Sequence, residues 1–134
     1  MRTVNVDKSK YTDYLKKSEE YKRSMESSFE RGDWNSCVGN SVHCAILAAD
    51  ALCIIFLGVR HRGENHEEAI GLFRSISPND ERMRKNAQRL GDLLSVKTDA
   101  EYGEKLLTSK EAELSIQTAT RFLDFIKERI SEVV

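Results

Sequence analysis

Proline is almost missing from this chain: Pro78 stands alone among 134 residues. With only seven glycines, turn formers are too few for a loop-rich or sandwich fold. Charge of one sign is missing as well. The 21 basic and 22 acidic side chains nearly cancel, so net charge gives no pull towards nucleic acid and only a local basic patch could supply one. The first ten residues, MRTVNVDKSK, hold no apolar segment of the kind a signal peptide needs, and a cytoplasmic location is expected. There is no CxxC pair and no HxxxH for zinc, no Glu-x-x-His pair of a bundle metal carrier, and no glycine-rich phosphate loop or Ser-His-Asp order. No cofactor and no metal are therefore expected. Cys37, Cys44 and Cys53 fall in one predicted helix. Seven or nine helical residues put Cα atoms about 10 Å or more apart, too far for a disulfide, so they are read as small buried thiols.

What the chain does have is CAILAADALCIIFL, Cys44 to Leu57, apolar throughout except for Asp50. A helix apolar on all sides needs protein or lipid around it. About twenty apolar residues are needed to span a bilayer, and this run, interrupted by a carboxylate, is shorter. It reads as the central buried helix of one small domain covering residues 1–134.

The rest of the chain supplies its neighbours. Residues 1–6 read as a loose arm. A first helix opens near Asp7 or Ser9, with Tyr11, Tyr14, Leu15, Ser18, Tyr21, Met25 and Phe29 in one stripe, and Gly32 ends it. Asp33 caps the second helix, which runs to Gly58; so short a turn makes the two an antiparallel hairpin. After the polar stretch VRHRGENH comes a short third helix, opened by Glu64 or Asn65. Ser77-Pro78 reads as the start of a fourth helix that lasts to about Ser95, with Met83, Ala87, Leu90 and Leu94 inside and a basic stripe of Arg82, Lys85 and Arg89 elsewhere. Residues 96–107 lack a clean period and read as a long loop. Thr108 and Glu111 form a capping box for the last helix. No strand is expected. The predicted fold is all-α: an antiparallel up-and-down bundle of four long helices plus one short one.

The chemistry-bearing candidates are Asp50, Arg60, Arg62, His66, Lys97, Asp99, Glu101 and Tyr102. Ten helical residues cover about 15 Å, so Asp50 is expected that far below Arg60, with contact not assured. Asp50 either locks helix register through a buried partner or belongs to a site. Arg60, His61 and Arg62 cluster at the start of helix three, where arginines and a helix N-terminus favour phosphate; the alternative is a solvated turn. His66 is of the residue type suited to acid–base work, or is a structural first-turn residue. Lys97 and Tyr102 can hold a phosphate, or Tyr102 pins its loop by packing.

The stretches from Arg31 to Phe73 and from Val96 to Leu123 resemble HEPN domains, small helical nucleotide-binding and ribonuclease-like modules. They are most similar to a prokaryotic branch with a buried Ala-Asp-Ala-like step, a Gly-x-x-His before helix three and a Lys-x-x-Ala-x-Tyr loop. Asp50, Gly63, His66, Lys97, Ala100 and Tyr102 fall on those positions. The resemblance implies a homodimer that binds nucleotide or RNA through Arg60, Arg62, His66, Lys97, Tyr102 and Asp50, in a toxin–antitoxin or defence system. Active relatives are metal-independent endoribonucleases carrying Arg, four to six residues, then His. Arg60 and His66 have that spacing and become the catalytic candidates. They precede helix three, whereas the family's pair stands later, where this chain has Lys97 and Tyr102 and no histidine. The alternative is a non-catalytic interaction or scaffold module partnering a nucleotidyltransferase-like protein.

Overall fold

The computed structural model describes residues 2–134. A strand β1 (Thr3–Asn5) and a 3-10 turn (Lys8–Lys10) lead into α1 (Tyr11–Glu30), followed by α2 (Trp34–Leu57), β2 (Val59–His61), α3 (His66–Ser75), α4 (Glu81–Tyr102) and α5 (Ser109–Ser131). Four long helices and one short one form the expected bundle. α2 is its axis: α1, α4 and α5 all pack on it. By length and mean hydropathy (1.8) α2 could cross a membrane, yet it is the core helix of this bundle. Cys44, Ala45, Ala48, Ala51, Leu52 and Ile54 are fully buried. Its many alanines let neighbouring helices come close, and Ser18 Oγ of α1 donates to the Cys44 carbonyl at 2.7 Å.

All three cysteines are free and buried. At the far end of the core Phe73 of α3 meets Phe122 of α5, with ring centroids 5.4 Å apart. The capping box forms as its sequence dictates: Thr108 Oγ1 accepts from Glu111 N, and Glu111 Oε1 accepts from Thr108 N.

Four local expectations are corrected. The loose arm is a strand, since β1 pairs antiparallel with β2, Val4 opposite Arg60. Three-residue strands are too short for an alternating pattern to show, which is why no strand was legible. The first α-helix begins at Tyr11; Asp7 instead caps the preceding 3-10 turn, accepting from Ser9 N at 2.9 Å. The fourth helix begins after Asp80 and not at Ser77-Pro78. Asp80 accepts from Met83 N at 3.2 Å and from Arg129 Nη1 at 2.9 Å, two partners that Ser77 does not have.

The fourth correction concerns residues 96–102, which continue α4 and are not a loop. Val96 and Ala100, one helical turn apart, still pack against the core. Asn35 fastens the end of this extension: its Nδ2 donates to the Ala100 carbonyl at 3.3 Å, and its Oδ1 accepts from Leu107 N at 3.0 Å.

Candidate functional site

α2 carries His43, Ile46, Asp50 and Cys53 on one face, at helical spacings of three and four residues. The chain then reverses. Gly58 takes φ +72°, ψ +14°, a left-handed cap that costs glycine little. β2 therefore runs back along α2, and Arg60 returns to Asp50. The expected separation of one helix segment is removed by this reversal, because β2 retraces the end of α2. Gly63, at φ +106°, makes the next bend, and Asn65 caps α3 by accepting from Glu68 N at 3.0 Å. That places His66 in the first turn of α3. α4 crosses in front and presents Leu90, Leu94 and Lys97.

These elements enclose a cavity of about 250 Å³. Asp50, Arg60, His61, His66 and Lys97 line it, together with His43. All three histidines of the chain thus face one space. Ile46, Ala49, Ala69, Leu72, Leu90 and Leu94 form apolar walls. The mouth opens into a shallower cleft of about 520 Å³, shared by His43, Glu64, His66 and Lys97 and bounded by Thr98, Glu101 and Tyr102.

Asp50 accepts no hydrogen bond among the described residues. Burial pushes its carboxyl up to about 7, and the positive charge of Arg60 pulls the other way. The two groups do not come within ion-pair distance. Arg60 Nη1 donates to the His61 carbonyl at 3.2 Å, while its Nε is buried without a partner. His61 Nε2 lies 3.6 Å from Glu68 Oε1, close enough for charge pairing and too far for a hydrogen bond. Glu68 is itself held low, chiefly by the Arg2 backbone N–H, which ties the start of β1 to α3. Burial, reinforced by Asp50, raises the Cys53 thiol to about 12, so it stays a thiol.

At the mouth the cations already have acidic company. Lys97 Nζ donates to Glu64 Oε2 at 3.2 Å; the lysine side chain is 15% exposed and the glutamate 86%. His43 Nε2 is 3.4 Å from Glu101 Oε1, and its ring packs on Tyr21 at 5.2 Å between centroids.

Of the sequence candidates, Asp50, Arg60, His66 and Lys97 come together in the cavity, and Glu101 and Tyr102 stand at its outer rim. Tyr102 is 80% exposed and does not pin a loop by packing. Arg62 and Asp99 are exposed and line neither space. Arg82 of the basic stripe is engaged elsewhere, with Glu128 at 2.8 Å. Sequence reasoning missed His43 and named His61 only as a member of the basic cluster with Arg60 and Arg62. The signal for His43 was its spacing of two helical turns from Asp50. Among the described residues no group of three or more His, Cys, Asp or Glu is placed to hold a metal ion.

No curated protein matches the chain at a significant level. The family described as HEPN domain matches residues 11–130, from the first residue of α1 to the last turn of α5. A match of that extent covers every helix of the bundle and the whole cavity, and on it the chain belongs to the HEPN domain family, whose helical modules are linked to RNA- and nucleotide-related functions.

Proposed function

We propose that this protein is a cytoplasmic, homodimeric HEPN module that binds nucleotide or RNA at the cavity between α2, β2, α3 and α4. One observation carries the reading: Arg60, His66 and Lys97, from three separate stretches, line a single cavity within one subunit. Lys97 and the start of α3 at His66 receive phosphate at the mouth, and the apolar walls receive the less polar part of the ligand. The setting is a toxin–antitoxin or defence pair. Any ribonuclease activity is weak and metal-independent: His66 moves the 2′-hydroxyl proton, and Arg60 or Lys97 stabilises charge developing on phosphorus.

The test is fluorescence anisotropy with labelled single-stranded RNA, run beside a cleavage assay. Lys97→Ala and Arg60→Ala should each weaken binding about tenfold, the scale of one charge-assisted contact. Wild-type affinity in both variants overturns the reading. Cleavage that persists in His66→Ala removes the catalytic version and leaves binding standing.

A second reading has an observation of its own. Lys97 and His43 already face Glu64 and Glu101, as they would in a polar seam that only supports the fold. Under it the protein is a scaffold for a nucleotidyltransferase-like partner, and the same substitutions lower thermal stability without touching RNA affinity.

A further inference from the structure

The inner end of the cavity is built for something other than a phosphate. Asp50 faces it with no hydrogen-bond donor among the described residues, between apolar walls that include Ile46, Ala49 and Leu90. A half-buried carboxylate without donors is costly to the fold, and it repels an anion. Beside it, Arg60 uses Nη1 on a neighbouring carbonyl, and its Nε is buried without a partner among the described residues. The inner end therefore offers two carboxylate oxygens next to guanidinium N–H groups. The mouth, where Lys97 stands, is the place for negative charge. The complementary ligand has a flat, uncharged head with adjacent N–H donors next to a carbonyl, and an anionic tail that points outward.

Resting on the nucleotide-binding reading above, we infer that the cavity selects a guanine base: Asp50 accepts from guanine N1–H and N2–H, Arg60 donates to O6, and the phosphate stays at Lys97. Among the four RNA bases only guanine sets two N–H donors side by side with a carbonyl oxygen next to them. Adenine and cytosine offer one amino group each, and uracil one ring N–H. Reading unstacked bases along this edge is a common mode for single-stranded RNA. The cavity of about 250 Å³ lies just below the size of sites that enclose a whole drug-sized ligand, about 300 Å³ and upward, so it takes a base and leaves ribose and phosphate in the outer cleft of about 520 Å³.

The experiment is isothermal titration of the intact protein with GMP, IMP, AMP, CMP and UMP. IMP differs from GMP only by the missing 2-amino group. GMP should bind tightest and IMP about tenfold more weakly, the scale of one unpaired buried hydrogen-bonding group. Asp50→Asn should bring GMP and IMP to similar affinity, with circular dichroism and thermal melting showing that the variant is folded. Lys97→Ala should weaken all five nucleotides by a similar factor. If all five bind equally and Lys97→Ala weakens them, nucleotide binding stands and the guanine assignment falls. A GMP preference that survives in Asp50→Asn also overturns the assignment. If none of the five binds, the assignment and the mononucleotide form of the parent reading fall together.

Discussion

Asp50 and Arg60 face one cavity and sense each other's charge without forming an ion pair. Packing alone has no use for this arrangement. A carboxylate kept to lock helix register would be saturated with hydrogen bonds, because leaving it open is what costs stability. Here the donor that could have closed the pair stays back on β2, and both groups are left facing the cavity.

That open pair gives a pH-dependent stability. Burial raises the Asp50 carboxyl from 3.8 to about 7, so the folded state binds its proton more tightly than the unfolded chain. The favourable contribution is complete below about pH 4 and is lost as pH rises through 7. Asp50→Asn removes the charged form. The variant should be more stable than wild type by about 2–4 kcal/mol at pH 8, with the gain shrinking towards zero at pH 4. Urea titrations at the two pH values check this. Arg60, Lys97, Glu64 and the three histidines line the same cavity, and comparing variant with wild type at each pH cancels their own titration. A site residue whose removal stabilises the fold is what a stability–function trade-off looks like.

The ion pair at the mouth makes Glu64 a competitor for any anionic ligand. Glu64 is 86% exposed while Lys97 is 15% exposed, so the glutamate can swing into solvent and the lysine cannot. Glu64→Gln should strengthen RNA or nucleotide binding about three- to tenfold at low salt, with a smaller gain as ionic strength rises. Anisotropy titrations across a salt series read this directly. Unchanged affinity at every salt concentration would mean that Lys97 does not meet the ligand.

The bundle was legible because α1, α4 and α5 carry a helical period, α2 is apolar on all sides, and two of the four long helices carry a side-chain cap: Met83, Ala87, Leu90 and Leu94 of α4, and Thr108 with Glu111 at the start of α5, behave as their spacing says. The site was legible only in part. Asp50, His66 and Lys97 stood out as chemical types, but their meeting depends on the reversal at Gly58 and on β1 pairing with β2. The first is a local turn at one glycine; the second joins stretches more than fifty residues apart, and strands of three residues leave no alternating pattern. His43 was hidden for a different reason. It follows Val42 on a helix dominated by apolar residues, so no polar stripe marks its place on the Asp50 face.

A buried hydrogen bond of the α1–α2 hairpin tests the role of small residues in the core. Ser18 is fully buried, and its hydroxyl donates to the Cys44 carbonyl. Ser18→Ala should lose about 1 kcal/mol, the net value of one hydrogen bond. Ser18→Leu has no space between the helices and should cost about 3 kcal/mol or more. Chemical denaturation of the two variants gives the comparison, and equal stabilities would mean that the helices can move apart freely.

Gly58 is the last test, because it separates the placing of Arg60 from the folding of the bundle. Its φ of +72° lies where a side chain is strained, while an added Cβ would meet only Lys8 Cε, at an ordinary 3.7 Å. The penalty for Gly58→Ala is therefore conformational and not steric, about 1–2 kcal/mol. Gly58→Asn should cost less, since asparagine tolerates the left-handed region better than other side chains. Both variants keep the helices, because residue 58 touches α2 only through its cap N–H, which donates to the Ile54 carbonyl at 2.9 Å and is present with either side chain. If the reversal brings Arg60 to Asp50, the alanine variant should weaken ligand binding more than the asparagine variant, in step with the loss of β1–β2 pairing seen by hydrogen exchange at Val6, whose N–H donates to the Gly58 carbonyl at 2.9 Å. Equal binding by both variants, with Val6 deprotected in only one, would show that the site does not depend on this turn.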